Sequence, residues 1–158
     1  MDFKRLALTL MITLVFAINS PFTLASEKTD VVDAVNRYLA NLDTDKIQTA
    51  IAMCDAETSI LDEFPPHAWH GPTACADWWK GLLEYNQKSG ITDGDATLGK
   101  TWTVDVTGDR AYFVAPMTYT YKQKGKSVKE SASFAVALKR TQAGWRITSW
   151  AYSKQAVE

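Results

Sequence analysis

The chain has 158 residues and 17.6 kDa, 46% of them hydrophobic and 22% charged. That is the make-up of one globular domain and excludes a multidomain enzyme, a collagen-like repeat or a wholly disordered chain. Seventeen Lys and Arg against 18 Asp and Glu give a formal charge of −1, so the basic field with which nucleic-acid-binding proteins gather phosphates is missing and no nucleic-acid partner is expected.

The first 25 residues read as a leader. Lys4 and Arg5 precede an uncharged apolar run from Leu6 to Ile18, and Thr23-Leu24-Ala25 places small residues at −3 and −1 of a cleavage site, the layout of a secretory signal peptide. The run is shorter than the roughly 20 apolar residues of a spanning helix, which argues against a membrane anchor. The expectation is export, with residues 26–158 as a secreted, periplasmic domain that has no membrane partner after cleavage. In an oxidising compartment the only two cysteines, Cys54 and Cys75, can pair; the alternative is two separate buried thiols.

Beyond the leader, Val31, Val32, Val35, Tyr38, Leu39 and Leu42 recur at three- and four-residue intervals, which predicts an amphipathic helix over Asp30 to Leu42. Asp43-Thr44-Asp45 supplies cap-type residues for a second helix carrying Ile47, Ala50, Ile51 and Cys54. Thr58 to Phe64 reads as a short strand stopped by Pro65-Pro66. A third helix starts at Gly71-Pro72, with Cys75, Trp78, Trp79, Leu82 and Tyr85 as its apolar stripe, and ends at Ser89-Gly90. After Gly90 the period falls to 2: strands are predicted around Trp102 to Val106, over Ala111 to Tyr121, Val128 to Arg140 and Trp145 to Tyr152. Lys122 to Lys129, with four lysines before Glu130, reads as a solvated hairpin tip. The fold class is α+β, three N-terminal helices packed on a strongly curved antiparallel sheet.

Four stretches carry a resemblance. They are the Val35-Asn36-Arg37-Tyr38 helix, the Asp62 strand before Gly71, the Gly108-Asp109-Arg110-Ala111-Tyr112 turn and the ending Gly144-Trp145-Arg146-Ile147-Thr148-Ser149-Trp150. In this order, and over essentially all of Asp30 to Ser153, the chain resembles the nuclear-transport-factor-2-like superfamily, particularly its SnoaL-like branch. The resemblance implies a cone whose open end is a small-molecule pocket, and a homodimer packed through the sheet. It also resembles the ketosteroid isomerases of that superfamily around Tyr38 and Asp62, which implies Asp62 as a base and Tyr38 as a hydrogen-bond donor to an enolate oxygen. It departs from them near Phe134, where Ser131-Ala132-Ser133 offers no partner acid, so steroid isomerisation is not expected. The His-Trp pair of many SnoaL-like last strands is replaced by Ala151 and Tyr152.

The other site candidates come from residue chemistry. His70 is a candidate general acid or base. His67 and His70, three apart beside Asp62 and Glu63, have a spacing too weak for a metal site, and none is expected. All six tryptophans lie beyond position 68; such rings serve either a core or the wall of an apolar pocket. Trp78 and Trp79 lie about 100° apart on their helix, so one should face the sheet and the other a rim or pocket. Trp69, Trp78, Trp79 and Trp150 are candidate walls, and Tyr119 and Ser133 candidate polar lining. No glycine-rich phosphate loop, Gly-x-Ser-x-Gly elbow or His-Glu-x-x-His motif occurs, and no cofactor is expected. Three functions fit: binding of a small, largely apolar molecule; an isomerase, cyclase or dehydratase using Asp62 with Tyr38 or His70; and a dimeric interaction module whose pocket is filled by its own side chains.

Overall fold

The structure is a computed structural model and describes residues 21–42 and 45–157, the first four of these by their backbone alone. The leader expected over residues 1–25 lies mostly outside the described residues. Among the described residues no helix is long and apolar enough to cross a membrane.

The helical period of the first segment is realised as α1, Pro21–Ala40, which begins upstream of the expected Asp30. Val31, Ala34, Val35 and Tyr38 form its buried stripe, while Asn36 and Arg37 stay exposed. Its early turns are tied to the sheet through Glu27, which pairs with Arg140 at 2.9 Å; the Arg140 guanidinium in turn lies 4.6 Å from the centre of the Trp145 ring. The short α2, Ile47–Ala52, has Lys46 at its N-cap and no side-chain cap bond, so the capping expected from Asp43-Thr44-Asp45 is not made by Asp45. Cys54 belongs to the following strand, β1 (Cys54–Leu61), and not to the helix.

A turn containing Pro65-Pro66 leads from β1 to β2, Ala68–His70, and then to α3, Ala74–Ser89, which stops at Gly90 with φ +66°. Cys54 and Cys75 are joined as a disulfide, tying the start of β1 to the first turn of α3. A closed loop of this length stabilises by roughly 3 kcal/mol on the chain-entropy view.

Five more strands follow: β3 (Ile91–Leu98), β4 (Thr103–Thr107), β5 (Arg110–Gln123), β6 (Lys126–Thr141) and β7 (Gly144–Val157). The sheet runs β2-β1-β7-β6-β5-β3, with β4 also paired to β5. The expected antiparallel meander is present from β4 to β7, but the sheet as a whole is mixed: β1 joins β7 in parallel, Ile60 beside Trp150 and Leu61 beside Ala151. The buried Thr58 hydroxyl donates to the Ile147 carbonyl at 2.8 Å across this junction, satisfying an acceptor where the register shifts.

Alternation decides what each strand offers the helices. On β5 the inner row is Ala111, Phe113, Ala115, Met117, Tyr119 and Tyr121; on β6 it is Glu130, Ala132, Phe134, Val136 and Leu138. On β7 the inward parity changes. Trp145 and Ile147 face in, a bulge follows opposite Ala137 and Leu138, and from there Trp150, Tyr152 and Lys154 face in. The Thr148 hydroxyl donates to the Ala137 carbonyl at 3.1 Å at this bulge, which re-aims the second half of the strand.

Candidate functional site

The open end of the curved sheet, α1 and α3 enclose a cavity of about 1230 Å3. It holds two hydrogen-bonded centres, one built on Asp62 and Tyr38 and tied together by tryptophans, the other on Glu130. Asp62 lies just past β1, in phase with Thr58 and Ile60, which the alternation buries. Its Oδ2 accepts from Trp78 Nε1–H at 2.8 Å, and its Oδ1 accepts from the Glu63 amide at 2.7 Å. Tyr38 is 1% exposed, and its hydroxyl accepts from Trp150 Nε1–H at 3.1 Å. The Trp78 and Trp150 rings meet edge to face, 4.8 Å between centres. Asp62, Trp78, Trp150 and Tyr38 are thus held as one connected set.

The electrostatics follow from burial. Desolvation pushes the Asp62 carboxyl up to about 6, against the hydrogen bonds from Trp78 and Glu63, with the neighbouring Glu63 and Glu130 charges adding to the rise. Burial, together with the nearby Asp62 charge, also pushes the Tyr38 phenol well above its ordinary value, although the Trp150 bond opposes this. Asp62 therefore changes charge close to neutral pH, while Tyr38 stays a protonated phenol.

A second polar centre sits on the same wall. Glu130, 2% exposed, accepts from Tyr121 Oη at 2.8 Å, Tyr152 Oη at 3.2 Å and Lys154 Nζ at 3.3 Å. Lys154 also pairs with Glu63. Burial works against its ammonium, but the Glu63 and Glu130 carboxylates hold its pKa above the usual lysine range. Glu63 is raised, first by burial and against the Lys154 bond.

Of the residues expected from sequence, Tyr38, Asp62, Trp78, Trp79, Tyr119 and Trp150 all line this cavity. Trp78 is the deeper of the adjacent pair and Trp79 is half-buried, their ring centres 6.1 Å apart; the expected split between sheet and rim is only partial, since both reach the cavity. Three expectations are corrected. His70 is exposed on β2 and engages Ser59 Oγ at 3.0 Å, away from the lining, because it shares the outward face of the β1–β2 pair with Ser59. Trp69 is buried, but against Phe64 at 5.0 Å and over Gly81 of α3, where it serves the core. Ser133 faces out because its neighbours Ala132 and Phe134 face in.

Glu130, Tyr152 and Lys154 were not among the expected site residues. The signal for Glu130 is its parity: it is in phase with Ala132, Phe134, Val136 and Leu138, so it is carried inward instead of belonging to the lysine-rich tip. β3, which carries Asp93, Gly94 and Asp95 over the cavity mouth, was also not expected. Gly94 lies against the Tyr119 hydroxyl so closely that a Cβ there would run into it. Among the described residues no cluster of three His, Cys, Asp or Glu side chains is set to hold a metal ion.

Helices closing the concave face of an unclosed, curved sheet around an aromatic cavity define a nuclear-transport-factor-2-like cone. Residues 29–158 match the SnoaL-like domain family, and the chain belongs to it. Solved structures with this fold include the hexachlorocyclohexane dehydrochlorinase LinA-type3 from Novosphingobium barchaimii LL02 (TM-score 0.74, 10% identity, 88% of this chain and 93% of that one). They also include an NTF2-like superfamily protein from Salmonella enterica serovar Typhimurium LT2 (TM-score 0.67, 19% identity, 84% and 93%). A third is an NTF2-like protein with a cystatin-like fold from Novosphingobium aromaticivorans (TM-score 0.66, 17% identity, 87% and 92%). At these identities the likeness is one of fold. A comparison with curated protein sequences found no match.

Proposed function

We propose that this protein binds a small, largely apolar molecule in the cavity between α1, α3 and the open end of the sheet. The observation that carries the reading is the cavity: about 1230 Å3 remains open between Trp78, Trp79, Tyr119 and Trp150, well above the roughly 300 Å3 at which ligand sites begin. The rival reading, an interaction module with a filled pocket, needs that space occupied by the protein's own side chains. Trp78 and Trp150 make the test direct, since both rings line the cavity. Titration with the neutral, ultraviolet-transparent probe 1-adamantanemethanol should give a saturable change in tryptophan emission. No change up to the solubility limit of the probe overturns the reading.

One observation favours a further step, proton transfer in the isomerase, cyclase or dehydratase range. Asp62 has a pKa near 6 in a partly dry cavity, and its described partners, the Trp78 ring and the Glu63 amide, are neutral donors, which suits a carboxylate that takes a proton from carbon near neutral pH. Tyr38, held by Trp150, is the phenol placed to steady developing oxygen charge. His70 has no part in it. The likeness to a dehydrochlorinase fold is compatible with this chemistry but does not carry it. An enolisable probe ketone, 4-tert-butylcyclohexanone in D2O, should gain α-deuterium faster with the wild type than with Asp62→Asn, and the gain should fall below about pH 6 as Asp62 becomes protonated. Equal exchange with both proteins counts against it.

A further inference from the structure

The charges around the cavity are lopsided in a chain whose overall charge is −1. Asp62, Glu63, Asp93, Asp95 and Glu130 line it, against a single basic residue among the described lining, Lys154. Asp93 is balanced at the mouth by Lys122 at 2.9 Å. Lys154 is already committed twice, to Glu63 and to Glu130, so it has little left to offer an incoming carboxylate or phosphate. Asp62 is different: its described partners, Trp78 Nε1–H and the Glu63 amide, are neutral donors, so its negative charge is oriented but not cancelled when the carboxyl is ionised.

Around these carboxylates stand the faces and edges of Trp78, Trp79, Trp150 and Tyr119. Aromatic walls with a negative electrostatic floor are the arrangement that recognises an organic cation, through the ring quadrupoles and through the carboxylates. The low dielectric of a concave site strengthens both effects and repels anions of the same shape.

We propose that the ligand of this cavity is an apolar amine or other organic cation, its charged group directed to Asp62 and its apolar body lying among the tryptophans. This assignment rests on the ligand-binding reading above and adds the charge of the ligand to it. An anionic amphiphile, such as a fatty or aromatic acid, is the class it excludes.

Three probes of one shape and different charge test it: 1-adamantanemethylamine, 1-adamantanemethanol and 1-adamantanecarboxylate, titrated by tryptophan emission and calorimetry at pH 7.5 and low salt. The amine should bind about tenfold or more tighter than the alcohol, and the carboxylate weakest of the three. Asp62→Asn should weaken the amine far more than the alcohol, narrowing the gap between the two. Glu130→Gln provides a second, independent loss of charge should the first variant fold poorly. If the alcohol binds and the amine binds no better, or the carboxylate binds best, the charge assignment is overturned while the binding reading stands. If none of the three binds, both fall together.

Discussion

One strand, β6, passes through two chemically different regions of the same concave face. At its C-terminal half Val136 and Leu138 pack with Phe113, Ile147, Val31 and Val35, all between 0 and 1% exposed. At its N-terminal half the same inward parity presents Glu130, and the strands beside it present Tyr121, Tyr152 and Lys154. The backbone is alike in the two halves; the side chains differ. Where the inward row is apolar, the helices close on it as a core. Where it carries a carboxylate with three donors, the helices leave a lined space. A buried polar group must keep its partners, and satisfying Glu130 fixes the positions of two tyrosines and a lysine at once.

The comparison breaks most visibly at the packed end. Phe113→Ala removes a fully buried ring from the floor of the core, and such truncations cost about 3–5 kcal/mol. Chemical denaturation should show that loss, while a variant that remains folded keeps its response to 1-adamantanemethanol, because Phe113 does not line the cavity. A loss of probe response in folded protein, with little loss of stability, would mean that the two regions are not separable in this way.

Much of this division was legible in the residues themselves. The three-and-four spacing of Val31, Val35 and Tyr38 and the alternation of β5 and β6 locate the helices and the core, because burial on one face imposes a period. Cys54 and Cys75 form the bond that was one of two readings open to them. The parts that were not legible have local causes. Thr92-Asp93-Gly94-Asp95 is poor in the residues that favour strands, and as an edge strand exposed over most of its length β3 has no buried face to impose an alternation. The Thr148 bulge shifts the inward parity of β7, so Tyr152 and Lys154 cannot be placed by counting from Trp145. The parallel pairing of β1 with β7 joins segments far apart in the chain, and no local pattern announces it. Ser133 and Glu130 are the instructive pair: the alternation that correctly buries Phe134 already requires the first to face out and the second to face in.

At the open end the expected effect is smaller and depends on pH. The folded chain holds the Asp62 proton up to about pH 6, whereas an unfolded aspartate loses it near about 3.9. Between those values the folded state binds more protons than the unfolded one, so stability is greatest on the acid side and falls as pH rises through the window, levelling off above about 6. A shift of this size corresponds to about 2–3 kcal/mol. Asp62→Asn cannot ionise, so its unfolding free energy, measured by urea titration from pH 4 to 7, should lack this descent. The variant also gives up one of the two bonds to the Trp78 ring and the Glu63 amide, since an amide oxygen serves only one side. It should therefore start less stable than the wild type at pH 4 and draw level with it or pass it by pH 7. Phe113→Ala should instead keep the wild-type slope at a lower stability throughout, because its loss involves no proton. Parallel curves for the wild type and Asp62→Asn would mean that the Asp62 carboxyl ionises in the fold as easily as in water, and the contrast between a polar, cavity-lining end and an apolar, packed one would go with it.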